Sequence, residues 1–332
     1  MGPAAAIAAV TLLAPAAPAP PAPPAADTAQ ITEWTVPWAQ SRPRDPYVAP
    51  DGRVWFVGQR SHYAAVFDPR TADFERFELE DGTGPHNLVV DRQGSVWYAG
   101  NLNAHIGRLD PRTGEITRFP MPDPAARDPH TLVFDARGDL WFTVQGGNFV
   151  GRLAPATGKV ELVRVPTEDA RPYGIVVDAR GRPWFNEFGS NKIATVDPAT
   201  MKLEEISLPR AEARTRRIGL TRDGAVWYVD YAGGMLGRLD PATRRVKEWP
   251  MPGGTGSRPY AMAVDDRDRV WFVETGARPN RLVGFDPRTE RFFGSAAIAS
   301  GGGAVRHMVF HAPTREIWFG TDTNMLGRAK LP

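Results

Sequence analysis

Six residues that could transfer protons or hold charged groups share one spacing, eleven positions before a tryptophan. They are His86, His130, Tyr173, Arg216, Tyr260 and His307. Histidine and an activated tyrosine can act as general acids or bases, and an arginine guanidinium can bind an anion. In the shorter first unit, the Pro46-Tyr47 step offers Tyr47 at the related place. Because three of the chain's six histidines fall at this one spacing, it predicts a shared site.

Carboxylates occupy a second spacing. Three positions after successive tryptophans stand Glu187, Asp230 and Glu274, and Asp322 lies one position further along in the last unit. Carboxylates bind hard divalent cations and take part in proton transfer. We expect Asp230 and Asp322 to contact a ligand if the two spacings meet on one surface. The alternative is a structural role, since polar residues can simply line a channel and a fold alone does not confer a function.

The elements that must position these residues repeat along the chain. A tryptophan followed by a second aromatic residue occurs seven times, 42 to 47 residues apart. The pairs begin at Trp55, Trp97, Trp141, Trp184, Trp227, Trp271 and Trp318. This period is typical of the blades of a β-propeller. The sequence therefore predicts an all-β fold, a seven-bladed β-propeller with the tryptophans packed between blades.

Each repeat reads as four short strands separated by turns. In residues 85–122, Asp-x-x-Gly and Asp-Pro-x-Thr sequences supply turns between apolar runs. Six repeats have their own fourth strand, but the last one ends near residues 326–328. Residues 31–37 match the fourth-strand pattern, so we expect them to complete the last blade. With the first strand of each blade along the central channel, the candidate residues should lie at one mouth of that channel.

The first 29 residues differ from the rest. They hold one charged residue, Asp27, and consist mostly of alanine and proline, with an apolar run at residues 4–14. We interpret residues 1–29 as an export signal followed by a stiff linker, with a disordered leader as the alternative. The sequence thus predicts a periplasmic or secreted protein with its propeller domain at residues 30–332.

Composition excludes several classes of function. Without cysteine, the chain has no disulfide, no thiol chemistry and no cysteine-bound metal. Its 40 basic and 38 acidic residues are interspersed, which predicts neither a nucleic-acid partner nor a membrane-surface partner. The apolar run is too short for a transmembrane helix. We expect a monomer that binds a small molecule or a cyclic peptide at the channel mouth, and no haem, flavin or nucleotide cofactor.

The repeats contain Pro-His-x-apolar, Gly-x-apolar-Trp-Phe-x-Glu and Asn-x-Ile-Gly-Arg units. In these units, residues 31–331 resemble the virginiamycin B lyase, or streptogramin lyase, family of seven-bladed propellers. The resemblance implies an antibiotic-resistance activity in which a cyclic depsipeptide is linearised by elimination. A histidine would take the proton α to the ester carbonyl, and a magnesium ion would stabilise the enolate-like charge.

The functional residues of that family carry over only in part. The glutamate three positions after the sixth tryptophan is Glu274, whereas the base histidine falls at Tyr260. Arg258 occupies the position of a further acidic residue of the family, and Arg216 occupies the position of its substrate-binding histidine. Candidate bases remain on other repeats: His86, His130 and His307.

The residues leave three hypotheses open. The first is a lyase-like enzyme in which Glu274 or Glu187 holds magnesium and Tyr260 or one of those histidines moves the proton. The second is an exported binding propeller with a platform for an anionic or glycan ligand. That platform would comprise Tyr47, Tyr173, Tyr260 and Arg216. The third is a metal-dependent lactonase, although the propeller of that family has six blades.

Overall fold

The protein folds as a ring of short strands. The computed structural model describes residue 2 and residues 28–332, so the predicted signal and linker lie almost entirely outside the described residues. The first half of the chain contains β1 (Gln30–Thr35), β2 (Pro43–Val48), β3 (Val54–Gly58), β4 (Tyr63–Asp68), β5 (Asp73–Glu78), β6 (Pro85–Val90), β7 (Val96–Gly100), β8 (His105–Leu109), β9 (Ile116–Pro120), β10 (Pro129–Phe134), β11 (Leu140–Val144), β12 (Phe149–Ala154) and β13 (Lys159–Arg164).

The second half of the chain also consists of short strands. It contains β14 (Pro172–Val177), β15 (Pro183–Glu187), β16 (Lys192–Val196), β17 (Leu203–Ser207), β18 (Thr215–Leu220), β19 (Val226–Asp230), β20 (Met235–Leu239), β21 (Val246–Pro250), β22 (Pro259–Val264), β23 (Val270–Glu274), β24 (Arg281–Asp286), β25 (Arg291–Ala297), β26 (Val305–His311), β27 (Glu316–Thr321) and β28 (Met325–Lys330). A 3-10 helix spans Gly254–Ser257. Within the described residues, no helix is long and apolar enough to cross a membrane.

Seven antiparallel sheets of four strands each form the blades. β2–β5 form blade 1, and successive groups of four strands form blades 2 to 6 up to β25. Blade 7 consists of β26, β27, β28 and β1. The first strands of neighbouring blades pack against one another around the ring, so they line the central channel. The seven-bladed propeller predicted from the tryptophan spacing is confirmed.

The N-terminal strand closes the ring. β1 pairs antiparallel with β28, from Gln30 opposite Lys330 to Thr35 opposite Met325. Trp34 of β1 stacks on the tryptophan of β27, with ring centroids 5.6 Å apart. Blade 7 thereby has the same four strands as the other blades, and hydrogen bonds join the two ends of the propeller. The predicted completion of the last blade by the N-terminal strand is confirmed.

In five blades the tryptophan is hydrogen-bonded to the turn that precedes it. In blade 3, Asp135 accepts two backbone N–H groups of its own turn at 2.9 and 3.0 Å. Its other carboxylate oxygen accepts the indole N–H of Trp141 at 3.2 Å. Blades 2, 4 and 6 repeat this indole bond, and in blade 5 the acceptor is Thr221 at 3.1 Å. One side chain therefore fixes both a turn and the strand that follows it.

The tryptophans are buried between neighbouring blades. Trp97 of blade 2, for example, packs in one apolar cluster with Leu132 and Phe142 of blade 3. Equivalent clusters join the other blades, and the seven tryptophans of the repeat are at most 3 % exposed. Close packing of this kind resists displacement of one blade against the next. The channel-lining strands are consequently held at fixed positions relative to one another.

We predict that Asp135→Ala lowers the free energy of unfolding by about 1.5–3 kcal/mol, because a charged acceptor of buried hydrogen bonds is lost. Asp135→Thr should lose less, since Thr221 already serves the equivalent tryptophan of blade 5. Urea unfolding followed by tryptophan fluorescence measures both variants. Equal losses for alanine and threonine would contradict a stabilising role of the indole bond.

Candidate functional site

Each channel-lining strand carries a β-bulge at the end of the channel where it begins, which we call the mouth. In blade 3, Pro129 pairs with Val144 and Leu132 pairs with Phe142, so two residues lie opposite one. Six of the seven first strands contain such a register shift, and in blade 5 the shift inserts Arg216 alone. A bulge changes the direction in which side chains point. In blade 3, for example, His130 contacts Tyr173 of blade 4, and Thr131 accepts a hydrogen bond from Arg217 of blade 5.

These pairs of residues form two stacked rings. The second residue of each first strand belongs to the upper ring, at the mouth, and the third residue belongs to the lower ring. The upper ring comprises Arg44, His86, His130, Tyr173, Arg216, Tyr260 and Arg306. The lower ring comprises Asp45, Asn87, Thr131, Gly174, Arg217, Ala261 and His307.

Tyr47 does not lie in either ring, contrary to the sequence expectation. It stands opposite Trp55 in blade 1 and lines a groove with Asp91 and Gly138 of the Asp-x-x-Gly turns. These turns lie at the opposite end of the channel from the mouth. The residue that blade 1 contributes to the upper ring is Arg44, which stands eleven positions before Trp55. The Pro46-Tyr47 sequence resembles the Pro-His sequence of other blades but does not occupy the same structural position.

His307 lies in the lower ring, although its spacing predicts the upper one. In blade 7, Val309 pairs with Trp318, nine positions further on, whereas in blade 3 Val133 pairs with Trp141, eight positions further on. The connection in blade 7 is therefore one residue longer. Counting eleven positions back from Trp318 therefore reaches the lower ring, and Arg306 occupies the upper-ring position of blade 7.

The upper ring is nearly continuous from blade 2 to blade 7. The ring centroids of His86 and His130 are 3.6 Å apart, and His130 lies 4.2 Å from Tyr173. The hydroxyl groups of Tyr173 and Tyr260 are hydrogen-bonded to each other. The guanidinium carbon of Arg306 lies 5.7 Å from the ring centroid of Tyr260. The structure thus brings these histidine and tyrosine candidates together at one mouth.

Arg216 is surrounded by aromatic rings. Its guanidinium carbon lies 4.0 Å from the ring centroid of Phe188, 4.2 Å from Tyr231 and 4.4 Å from Tyr260. Such cation–π contacts favour a guanidinium that is partly removed from water. Phe188 and Tyr231 stand four positions after a tryptophan, and each directly follows a candidate carboxylate at the third position. Because successive strand residues point to opposite sides, the fourth position, and not the third, faces the upper ring.

Glu187 and Asp230 hold loops to their own blades. Both are fully buried, at 0 % exposure, and among the described residues neither forms a hydrogen bond or an ion pair with the upper ring. Glu187 accepts the hydroxyl of Ser190 at 2.7 Å, and burial raises its pKa to about 7. Asp230 accepts the backbone N–H of Arg214 at 2.8 Å and forms an ion pair with Arg210.

Asp322 is the candidate carboxylate that reaches the upper ring. Its Oδ2 accepts a hydrogen bond from Nη2 of Arg306 at 2.6 Å, and its Oδ1 lies 3.6 Å from Nε of Arg42. Asp322 stands four positions after Trp318, at the position that faces the channel in other blades. Its charge therefore offsets part of the positive charge at the mouth.

Glu274 offers no free carboxylate oxygen to a metal ion. Oε1 accepts the backbone N–H of Gly253 at 2.7 Å, and Oε2 accepts Nη2 of Arg281 at 2.6 Å. Arg258 stands where the resemblance expects an acidic residue, and Glu187 lies two blades away. Across residue 2 and residues 28–332, no three histidine, aspartate or glutamate side chains form a group that could hold a metal. The residues do not fit the magnesium ion that the resemblance implies.

The two hydrogen-bonded tyrosines differ in acidity. Burial, together with Tyr260, raises the pKa of Tyr173 to about 12. Burial alone would also raise the pKa of Tyr260, but Arg216 and three further arginines of the two rings lower it to about 8. Tyr260 is therefore the more acidic of the two phenols, and Tyr173 is the hydrogen-bond donor when Tyr260 ionises.

The histidines at the mouth are uncharged near neutral pH. Burial, with Arg44 and Arg217 nearby, lowers the pKa of both His86 and His130 well below its ordinary value. The same causes, chiefly burial and then Arg217, lower the pKa of His307 to about 3. A neutral imidazole donates one hydrogen bond and accepts another.

Arg217 closes the channel below the mouth. Its Nη2 lies 3.2 Å from Oδ2 of Asp45, its Nη1 donates to Thr131 Oγ1 at 3.3 Å, and its Nε donates to the backbone oxygen of Arg306 at 2.9 Å. Burial alone would raise the pKa of Asp45, but Arg217 and its neighbours hold it well below its ordinary value, so the carboxylate is charged. Beneath this floor lies a cavity of 270 Å³ lined mainly by aliphatic side chains.

Several buried polar atoms at the mouth have no hydrogen-bond partner. Among the described residues they include Nε and Nη2 of Arg44, Nε of Arg216, Nδ1 of His86 and Nε2 of His130. Buried polar groups are hydrogen-bonded in the great majority of cases. A cluster of unpartnered atoms on three neighbouring blades and on Arg216 therefore indicates a place where a bound molecule completes the hydrogen bonds.

Comparisons with known proteins agree with this architecture. The sequence profile of the Virginiamycin B lyase family matches residues 25–195. A solved streptogramin B lyase has a TM-score of 0.82 at 25 % identity, covering 92 % of this chain and 98 % of that chain. Virginiamycin B lyase from Staphylococcus aureus has a TM-score of 0.83 at 22 % identity, covering 92 % of this chain and 100 % of that chain. A catalytically inactive form of that enzyme with quinupristin gives the same values. No curated protein sequence matches the chain.

We predict that one phenol of the protein titrates near pH 8, because arginines lower the pKa of Tyr260 to about 8. The tyrosinate absorbance should show this early step in the wild type and not in Tyr260→Phe. Arg216→Met should move the step toward the ordinary tyrosine pKa of about 10, because the nearest positive charge is removed. Persistence of the step in Tyr260→Phe would assign it to another residue and contradict the prediction.

Proposed function

The chain belongs to the virginiamycin B lyase family, and we propose that it binds a small organic ligand at the mouth of its channel without magnesium-assisted elimination. The observation that carries the proposal is the composition of the upper ring, in which arginines and neutral aromatic residues replace a metal-binding set.

The residues around blade 6 support the absence of metal-assisted chemistry. Tyr260 stands where the resemblance expects a base histidine, and Arg258 stands where it expects an acidic residue. The carboxylate of Glu274 is already engaged by Arg281 and by a backbone N–H. A metal ion would have to displace both donors and approach an arginine, which the charge arrangement disfavours.

The wall of the mouth supports ligand binding. Tyr173, Tyr231, Tyr260 and Phe188 present aromatic surface beside Arg216. Binding sites for small molecules commonly combine such apolar surface with a few convergent polar groups. A catalytically inactive form of the S. aureus enzyme, which shares the fold, is known in a structure with quinupristin, which supports a small-molecule ligand for a propeller of this architecture.

We further propose that the protein is exported. The basis is the alanine- and proline-rich composition of residues 1–29 and their single charge. Sequencing of the N-terminus of protein recovered outside the cytoplasm tests this proposal, and an unprocessed chain found in the cytoplasm alone would contradict it.

We predict that members of a mixed panel of neutral and charged metabolites raise the melting temperature of the wild type. Arg216→Gln should remove these shifts, because the aromatic wall packs around its guanidinium. Arg288→Gln is a matched control, since its side chain is 79 % exposed on an Asp-Pro-x-Thr turn away from the mouth. Equal shifts in Arg216→Gln would place binding elsewhere. A cyclic depsipeptide incubated with the protein and magnesium should stay intact by mass spectrometry, and a linear product would contradict the proposal.

We predict that magnesium and a chelator leave the unfolding midpoint of the wild type unchanged. Glu274→Gln should lower the free energy of unfolding by about 1–3 kcal/mol, equally with either addition, because buried hydrogen bonds to a charged group are weakened. Glu290→Gln, which removes a carboxylate paired with Lys247 at the surface, is the control and should cost little. A midpoint that magnesium raises in the wild type but not in Glu274→Gln would show a metal site at Glu274.

A further inference from the structure

We propose that the upper ring binds an organic anion, a carboxylate or a phosphate ester, whose charged group is held by Arg44 together with His86 and His130. This inference rests on the proposed function. It adds the charge class of the ligand and the place where its charged group is bound.

Positive charge exceeds negative charge at the mouth. Two carboxylates of the described residues belong to the rings and their rim: Asp45 and Asp322. Five arginines surround them: Arg42, Arg44, Arg216, Arg217 and Arg306. A cleft lined by one sign of charge and bounded by low-dielectric walls attracts ions of the opposite sign. The mouth is therefore electrostatically suited to an anion.

Arg44 has the donors that such an anion needs. Its side chain is only 5 % exposed. One terminal nitrogen donates to Gln59 at 3.0 Å, whereas Nη2 and Nε have no hydrogen-bond partner. The nearest carboxylate oxygen, Oδ1 of Asp45, lies 3.5 Å from Nε. Arginine presents its N–H groups as a planar fork that matches two oxygens of a carboxylate or phosphate.

The hydrogen bonds below the mouth make Nε2 of His130 a further donor to the anion. Thr131 Oγ1 accepts a hydrogen bond from Arg217 at 3.3 Å and lies 2.8 Å from Nδ1 of His130. Because Thr131 Oγ1 already accepts from Arg217, we assign its hydroxyl hydrogen to Nδ1 and the proton of the neutral imidazole to Nε2. Nε2 is the nitrogen without a partner. His86, stacked on His130 at 3.6 Å, has an unpartnered Nδ1 in the same part of the mouth.

The same features disfavour a neutral glycan. Sugar hydroxyl groups need acceptors as well as donors, and carboxylates or amides commonly supply them. The upper ring contains arginines, histidines and tyrosines. The buried carboxylates Asp230 and Glu274 are bound within their own surroundings, and Glu187 accepts the hydroxyl of Ser190 in its own blade. Arg216 is packed among aromatic rings, so we assign it to the wall that contacts the body of the ligand.

Isothermal titration calorimetry at pH 7 tests the proposal with inorganic phosphate, citrate and the neutral analogue trimethyl citrate. Phosphate and citrate should bind to the wild type, and trimethyl citrate should bind at least about tenfold more weakly than citrate because it lacks charge. Arg44→Gln should weaken citrate binding by about ten- to a hundredfold through the loss of charge-assisted hydrogen bonds. Arg288→Gln should leave it unchanged.

His130→Phe provides a second variant in case Arg44→Gln does not fold, because phenylalanine keeps the stacking and removes the donor. Circular dichroism checks the fold of each variant. Citrate and trimethyl citrate binding equally well, or citrate binding unaffected in both variants, would overturn the inference. If neutral ligands bind and lose affinity in Arg216→Gln while phosphate and citrate do not bind, the proposed function stands and the anion inference is wrong. If no ligand of either kind binds, the proposed function itself is wrong.

Discussion

One buried ion pair, between Arg217 and Asp45, determines how the rest of the channel is arranged. Arg217 joins blade 5 to blades 1, 3 and 7, and Asn87 donates to the same carboxylate oxygen at 3.0 Å. Loss of one partner of such a pair typically costs about 3–5 kcal/mol, because the other charge is left buried without compensation. Since Asp45 is already paired with Arg217, it cannot fully neutralise Arg44 above it. The floor of the mouth thus leaves the upper ring positively charged.

The scaffold and the site use different positions of the same repeat. The turn aspartate and the tryptophan recur almost unchanged, as in Asp135 and Trp141, because they hold turn, strand and neighbouring blade together. The bulge residues differ from blade to blade, from arginine to histidine to tyrosine. A bulge can accept these changes because its side chains point into the channel and do not pack between sheets. Seven nearly equal blades can therefore present seven unequal side chains.

The sequence predicted the fold well and the site incompletely, for reasons that lie in local geometry. A period of 42 to 47 residues requires no knowledge of side-chain direction, so blade number and closure followed from counting. A shift of the strand pairing by one residue decides whether a side chain belongs to the upper ring or to the lower ring. One extra residue in blade 7 replaced His307 by Arg306, and strand alternation placed Phe188, and not Glu187, beside the ring. A count from the tryptophan cannot detect an insertion between it and the bulge, whereas the strand pairing shows it directly.

The positive charge of the mouth has opposite effects on binding and on proton abstraction. Arginines attract an anion, but the same charges also contribute to lowering the pKa of the nearby histidines and of Tyr260. His86 and His130 are neutral at pH 7 and weakly basic, because burial and the arginines disfavour their charged forms. Tyr260, with its pKa lowered only to about 8, remains mostly an un-ionised phenol at pH 7. A general base works best when its pKa lies near the operating pH and its conjugate acid is tolerated. A ring whose arginines disfavour protonation of the histidines beside them is therefore better suited to holding an anion than to removing a proton from it.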